Sequence, residues 1–351
     1  MKFELSEDQA LLRSSTRDFV TNEWPMEKVR SVLENEPAGY VAAAWERLAE
    51  MGYLGLTVPA ESGGQGLGAI ELAIVCEEVG RACMPGPFLD AVLAAETLAA
   101  AGGQEQLLAD LIGGKRLVVL ARDDAPFAGE AQQRIGIQGA KLRGDKYFVP
   151  FAAQADALLV TAADGVFLAE KPFAVTPLES FDLAARFGAV RFDHATRRVA
   201  GPDVLVRVDR IAAVGAAALL LGLMSRSLEI TIEYVHTRKT FGRAIGSFQA
   251  LQHRLSEMLL RTESTRSAVY RAAWCLDTGH ADAALACAAA KVYAGDASRL
   301  VCGESVQMHG GIGFTWELDL HFFFKRAKTL EMHYGGTEDQ LERVLEAAGF
   351  E

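Results

Sequence analysis

No run of basic residues appears anywhere in the sequence. Its 35 Lys and Arg are outnumbered by 46 Asp and Glu, a net charge of −11, whereas a phosphate backbone would call for clustered cations. Nucleic acid is therefore not an expected partner. The chain also lacks any apolar stretch near the ~20 residues that span a bilayer. Its charged, amphipathic start, MKFELSEDQALLRSSTRDF, is unlike a secretory signal, so no membrane association is expected and the expected location is cytoplasmic. Cysteines are few. Cys76, Cys83, Cys275, Cys287 and Cys302 are odd in number and without CxxC spacing. Their Ala- and Val-rich surroundings mark them as small buried thiols, and no metal site is expected. Finally, there is no βαβ alternation, which disfavours a Rossmann sheet.

What is present is a chain of 351 residues, half of them hydrophobic, enough to bury large cores in two or three regions. Residues 1–116 read as helical throughout, with Ser6 capping the first segment ahead of Asp8 and Gln9. Between residues 117 and 206 the hydrophobic period changes to two, in short Val- and Ile-bearing runs separated by Gly, Asp and Pro. From 207 to 351 helix returns, with long segments expected at 209–237, 248–278, 281–309 and 337–348. Long helices with short connections read as a four-helix bundle. The fold class is thus α+β: a helical N-terminal domain, a small β-barrel or β-sheet middle domain and a C-terminal bundle.

Within the last region, residues 307–340 carry glycine pairs at Gly310-Gly311 and Gly335-Gly336. Such pairs let backbone approach a ligand closely and tolerate positive φ at a helix end. Singly, Arg238 reads as a solvated charge, Phe241 as core and a glycine pair as a helix C-cap. Their order along successive helices points instead to one ligand. The segment RKTFGRAIGSFQ from Arg238 to Gln249 resembles the R-x-x-F-G-x-x-I-x-x-F-Q of the acyl-CoA dehydrogenases, and QMHGGIG from Gln307 resembles their Q-x-x-G-G-x-G. VPAESGGQGLG and EEVGR in the N-terminal half are also similar to family sequences, so the resemblance covers nearly the whole chain.

The resemblance implies an FAD-dependent acyl-CoA dehydrogenase that takes an acyl-CoA substrate, forms a tetramer and passes electrons to an electron-transfer flavoprotein. It assigns the AMP and pyrophosphate half of the FAD to Arg238, Phe241, Gln249, Gln307, Gly310, Gly311 and Thr337, the last as cap of the final helix. Arg238 would offer a planar fork of donors and the glycines bare backbone amides.

The same resemblance exposes departures. The reaction needs a carboxylate to take the proton alpha to the thioester, and where many members have Y-E-G-T this chain has Tyr334, Gly335, Gly336 and Thr337. Spacing from Ala327-Lys328 is one residue longer than usual, which leaves Tyr334 as the other occupant of that place. Neither is an acid. A second branch of the family carries its base near the position of Ala212. Asp209 is the only acid nearby, and it reads more readily as an N-cap or first-turn acid. In the middle domain, residues 120–127 (LARDDAPF) replace T-E-P-x-x-G-S-D, and Phe148, Val149 and Pro150 replace W-I-T, the proline removing a hydroxyl and an amide donor. The expectation is a base-lacking subunit that completes a partner's FAD site in an α2β2 dehydrogenase of the kind used in bacterial steroid side-chain catabolism. Two alternatives stand beside it: a self-sufficient homotetramer with Asp209 as base, and a CoA-ester binding or scaffold protein without redox chemistry.

Overall fold

The computed structural model describes residues 4–123, 135–138 and 141–350. Residues 124–127 of the expected flavin-ring segment lie outside these. Six helices come first: α1 (Glu7–Glu23), α2 (Met26–Asn35), α3 (Ala42–Glu50), α4 (Ala69–Arg81), α5 (Phe88–Ala101) and α6 (Glu105–Ile112). Ser6 starts α1 through a capping box, its hydroxyl accepting from Gln9 N–H at 3.2 Å while Gln9 Oε1 accepts from Ser6 N–H at 3.0 Å.

Among the described residues eight strands follow: β1 (Val118–Ala121), β2 (Gly136–Gln138), β3 (Lys141–Pro150), β4 (Ala157–Ala162), β5 (Gly165–Glu170), β6 (Ala174–Leu178), β7 (Phe187–Ala195) and β8 (Arg197–Ala200). Among the described residues they form two four-stranded sheets, ordered β1-β4-β5-β8 and β2-β3-β7-β6. The barrel offered as one form of the middle domain is therefore not seen there. β1 is VVLA and buried at every position, as a strand covered on both faces must be. It pairs parallel with β4. The pairing of β3 with β7 slips between Lys146 and Val149, where Phe148 takes a φ of +48°.

The remaining helices are α7 (Val204–Thr237), α8 (Gln249–Asp277), α9 (Ala283–Met308), α10 (Leu320–Met332) and α11 (Thr337–Ala347), with a two-residue hairpin of β9 (Lys239–Thr240) and β10 (Arg243–Ala244) after α7. The four expected helices are present, and α10 joins them, packed on α9 beside α8 and α11. No helix among the described residues is long and apolar enough to cross a membrane. All five cysteines are buried and unbridged.

By contacts the chain divides into two compact units. One gathers the described residues of Met1–Ser31, Gly68–Met84 and Arg210–Glu351, the other Val32–Leu67 and Pro85–Asp209. In the first unit α4 crosses α7 backbone to backbone: a Cβ added at Gly222 would lie 2.0 Å from the carbonyl oxygen of Glu77, and one at Gly80 would lie 2.2 Å from that of Leu219. Only glycine permits so close a crossing. The far end of α8 is tied to the same helix, since Asp277 accepts from the N–H groups of Ala69 and Ile70 at 2.6 and 3.0 Å and so caps α4.

Two expectations about helix ends are corrected. Thr337 does not cap α11. That place belongs to Gly336, whose N–H is taken by Asp339 Oδ2 at 3.0 Å, leaving Thr337 as the first helical residue. Asp209 is neither N-cap nor first-turn acid, because α7 begins at Val204.

Candidate functional site

In the first unit, the end of α7, the β9–β10 hairpin, the start of α8 and the end of α9 enclose a groove of about 290 Å³. Arg238 enters it directly after α7, its N–H still bonded to the carbonyl of Tyr234 at 2.8 Å. Gln307 and Gly310 line it from the last turn of α9 and the short 3-10 turn that follows. Gly310 has a φ of +64°, which a side chain would strain. A Cβ added at Gly310 or at Gly311 would meet nothing within 4 Å, so this stretch of backbone is bare on its outer side.

The floor is formed by a stacked pair of rings. The ring of Tyr234 stacks on His309 with centroids 4.1 Å apart, and its hydroxyl donates to the carbonyl of His309 at 3.3 Å. Burial lowers the pKa of His309, the bond to Ser305 opposing. A carbonyl can only accept, so the 2.7 Å contact between Nδ1 and Ser305 O places the imidazole proton on Nδ1.

Three of the seven residues assigned to the dinucleotide, Arg238, Gln307 and Gly310, line this groove. Gly311 lies next to it and is exposed. Phe241, Gln249 and Thr337 are not among its lining residues. Phe241 is 90% exposed at the tip of the hairpin, where it and Gly242 take φ values of +54° and +79°. Both central residues at positive φ make a type I′ turn, a conformation costly for a bulky side chain. Gln249, the first residue of α8, is exposed. Tyr234, Thr240, His309 and Arg254 also line the groove and were not singled out from sequence. Tyr234 stands one helical turn before Arg238, a spacing that marks a shared face. No local pattern marks Arg254.

The second glycine pair is built differently. Tyr334 and Gly335 have φ values of +62° and +91°. Lys291, buried on α9, donates from Nζ to the carbonyls of Glu331 at 2.9 Å and Gly335 at 3.1 Å, and burial brings its pKa down to about 8. The amide of Gln340, a residue 1% exposed, sits 2.3 Å from where a Cβ on Gly335 would be. It fills the place a longer side chain would take. Of the three carboxylates within four residues of Gly335, Glu331 bonds Lys328 Nζ at 2.6 Å and Asp339 takes the Gly336 N–H, while Glu338 is exposed on α11.

In the second unit Asp209 is bound to Arg122. The carbonyl of Arg122 in turn accepts from Lys146 Nζ at 2.7 Å. The acid is thus held by a cation within the same unit. A larger cavity of about 530 Å³ in the first unit has Arg17, Arg81 and Arg226 on its walls, but these guanidiniums already serve Glu78 and Glu229.

Family models match most of the chain: one described as acyl-CoA dehydrogenase, N-terminal domain, over residues 6–110 and one described as acyl-CoA dehydrogenase, C-terminal domain, over residues 209–349. Among curated proteins, the chain is similar to acyl-CoA dehydrogenase IpdE2 of Mycolicibacterium smegmatis, with 33% identity over 350 residues, 99% of this chain and 100% of the relative. Among solved structures, a chain of the ChsE4-ChsE5 complex from Mycobacterium tuberculosis matches with a TM-score of 0.89 and 29% identity, covering 100% of both chains. A chain of the Tcur3481-Tcur3483 steroid ACAD G363A variant matches with a TM-score of 0.88 and 28% identity, over 97% of this chain and 98% of that one.

Proposed function

Given that the chain belongs to the acyl-CoA dehydrogenase family, whose members are FAD-dependent oxidoreductases acting on CH–CH donors, we propose that it is the base-lacking subunit of a heteromeric enzyme. In this reading it lends the Arg238–Gly310 groove to the FAD of a partner subunit. The observation that carries the proposal is the contrast between the two glycine pairs: the first is bare and faces a groove, while the second is filled by Gln340 and fixed by Lys291.

The groove's chemistry fits half of a dinucleotide. At about 290 Å³ it lies at the lower end of small-molecule sites, a size for part of an FAD and not the whole. Arg238 presents its guanidinium to a phosphate, Gly310 and Gly311 present N–H groups no Cβ shields, and Gln307 offers an amide to ribose or base. Phe241, 90% exposed and at positive φ, is placed to gain burial only when another molecule covers it. When bound, the flavin supplies the hydride acceptor for α,β-dehydrogenation of an acyl-CoA thioester. In this reading the base is not Asp209, Glu331 or Asp339, each of which is held by a partner group. The partner subunit provides the proton acceptor, and an electron-transfer flavoprotein takes the electrons. Two relatives named as pairs, ChsE4-ChsE5 and Tcur3481-Tcur3483, support a two-chain assembly, and the second supports a steroid acyl group.

To test this, the chain is produced alone and together with a second acyl-CoA dehydrogenase subunit encoded beside it. Flavin per chain, native mass and turnover are then measured. The expected outcome is a lone chain that retains little flavin and turns over no acyl-CoA, and a flavin-bearing α2β2 complex that does. Stoichiometric FAD with full activity from the lone chain overturns the reading.

A further inference from the structure

Arg254 is a second guanidinium in the groove, and its role is not explained by the assigned set. It lies in the second turn of α8 and lines the same groove as Arg238 and Gly310. Its Nη1 donates to Glu304 Oε2 at 2.7 Å, and Glu304 stands one turn before Gln307 on α9. The side chains of Arg254 and Glu304 are 52% and 30% exposed. An ion pair so exposed is worth little in water and is readily surrendered to a stronger anion.

A pyrophosphate brings two negative charges, and Arg238 neutralises one. Bare amides at Gly310 and Gly311 add partial charges only. With the carboxylate of Glu304 brought close through its bond to Arg254, a groove for a diphosphate would be short of positive charge without another cation. We propose that Arg254 is that second phosphate-binding cation, and that Glu304 holds it over the groove and competes with the diphosphate for it. The inference rests on the reading that the groove takes the phosphates of FAD. It assigns Glu304 a role of opposite sign to that of Arg254.

The test uses the purified complex with its partner subunit. Flavin dissociation is followed by the rise in free-flavin fluorescence at increasing sodium chloride, with apoprotein melting temperatures as folding controls. Arg254→Met keeps the aliphatic stem and removes the charge. It should weaken flavin retention about tenfold and flatten its salt dependence, since one screened contact is gone. Glu304→Gln should tighten retention about threefold, because a repelling carboxylate is lost and Arg254 is freed. If the pair serves only to tie α8 to α9, both substitutions lower the melting temperature together and Glu304→Gln does not tighten retention, which overturns the inference. If Arg238→Met releases flavin while Arg254→Met does not, the second-cation role fails and the groove reading stands. Full retention in Arg238→Met removes the groove reading and this inference with it.

Discussion

Gly310 and Gly311 face open space, with nothing within 4 Å of a Cβ added at either, whereas a Cβ on Gly335 would meet Gln340 Nε2 at 2.3 Å. Both pairs follow a helix, and both include a left-handed glycine. One glycine leaves room for something outside the chain and the other makes room for the chain itself. As bare glycine pairs, apart from the motifs around them, the two look alike in sequence. The lesson is that a glycine near a site has two opposite meanings, and what occupies the missing side chain's volume decides between them.

The sharpest way to break this contrast is to add a methyl group to each turn and read both stability and flavin. Gly335→Ala forces a side chain into positive φ and against Gln340, so it should cost about 1–2 kcal/mol of stability in urea unfolding while leaving flavin retention in the complex unchanged. Gly311→Ala should do the reverse, shifting stability by no more than about 0.5 kcal/mol and weakening retention severalfold. Equal responses of the two variants would abolish the distinction.

A second expectation concerns Lys291, which the closed turn uses and the open one lacks. Its ammonium loses its proton at about 8 in the folded chain, against 10.5 when exposed. Below pH 8 both states are protonated and the cost of burying the charge is fully present. Between these values the unfolded chain binds more protons, so the cost is relieved and stability from this site rises with pH, by up to ~1.4 kcal/mol per unit. Denaturant titrations of wild type and Lys291→Met should therefore diverge in the wild type's favour between pH 8 and about 10. A constant difference would mean that Lys291 is not held as the turn requires.

The smallest effect is expected at Asp209. With Arg122 as its partner, Asp209→Asn should change turnover of the complex less than about twofold, where loss of a catalytic base would remove orders of magnitude. A collapse of turnover would return the base to this chain.

Much of the fold was legible because its signals are local. The S-x-x-Q box at Ser6, the period-two runs that become β3, β4 and β5, and the alanine-rich stretch of α9 each declare themselves within a few residues. Of the seven residues the family motifs singled out, Arg238, Gln307 and Gly310 line one groove, and Phe241, Gln249, Gly311 and Thr337 do not. What remained hidden was set by distant partners. Gln340 in the volume beside Gly335, Lys291 reaching the carbonyl of a residue 44 positions on, and Glu304 beside Arg254, 50 positions away, follow no short-range rule. Thr337 against Gly336 as the cap was missed for the opposite reason, since adjacent small residues compete for one position and only backbone geometry separates them.

The capping of α4 by Asp277 bears on what this chain can tolerate in its length. The first turns of α8 line the groove, with Leu251 and Arg254, and the helix ends on another helix, with Asp277. Its 29 residues make a rod of about 43 Å whose two ends are keyed to one another by rotation, ~100° per residue. A single inserted residue would leave every local propensity intact. Yet it would turn the far carboxylate away from the α4 amides, or Arg254 away from its groove. Growth of this region is therefore confined to the loops that flank the helix, and α8 itself behaves as a ruler of fixed count.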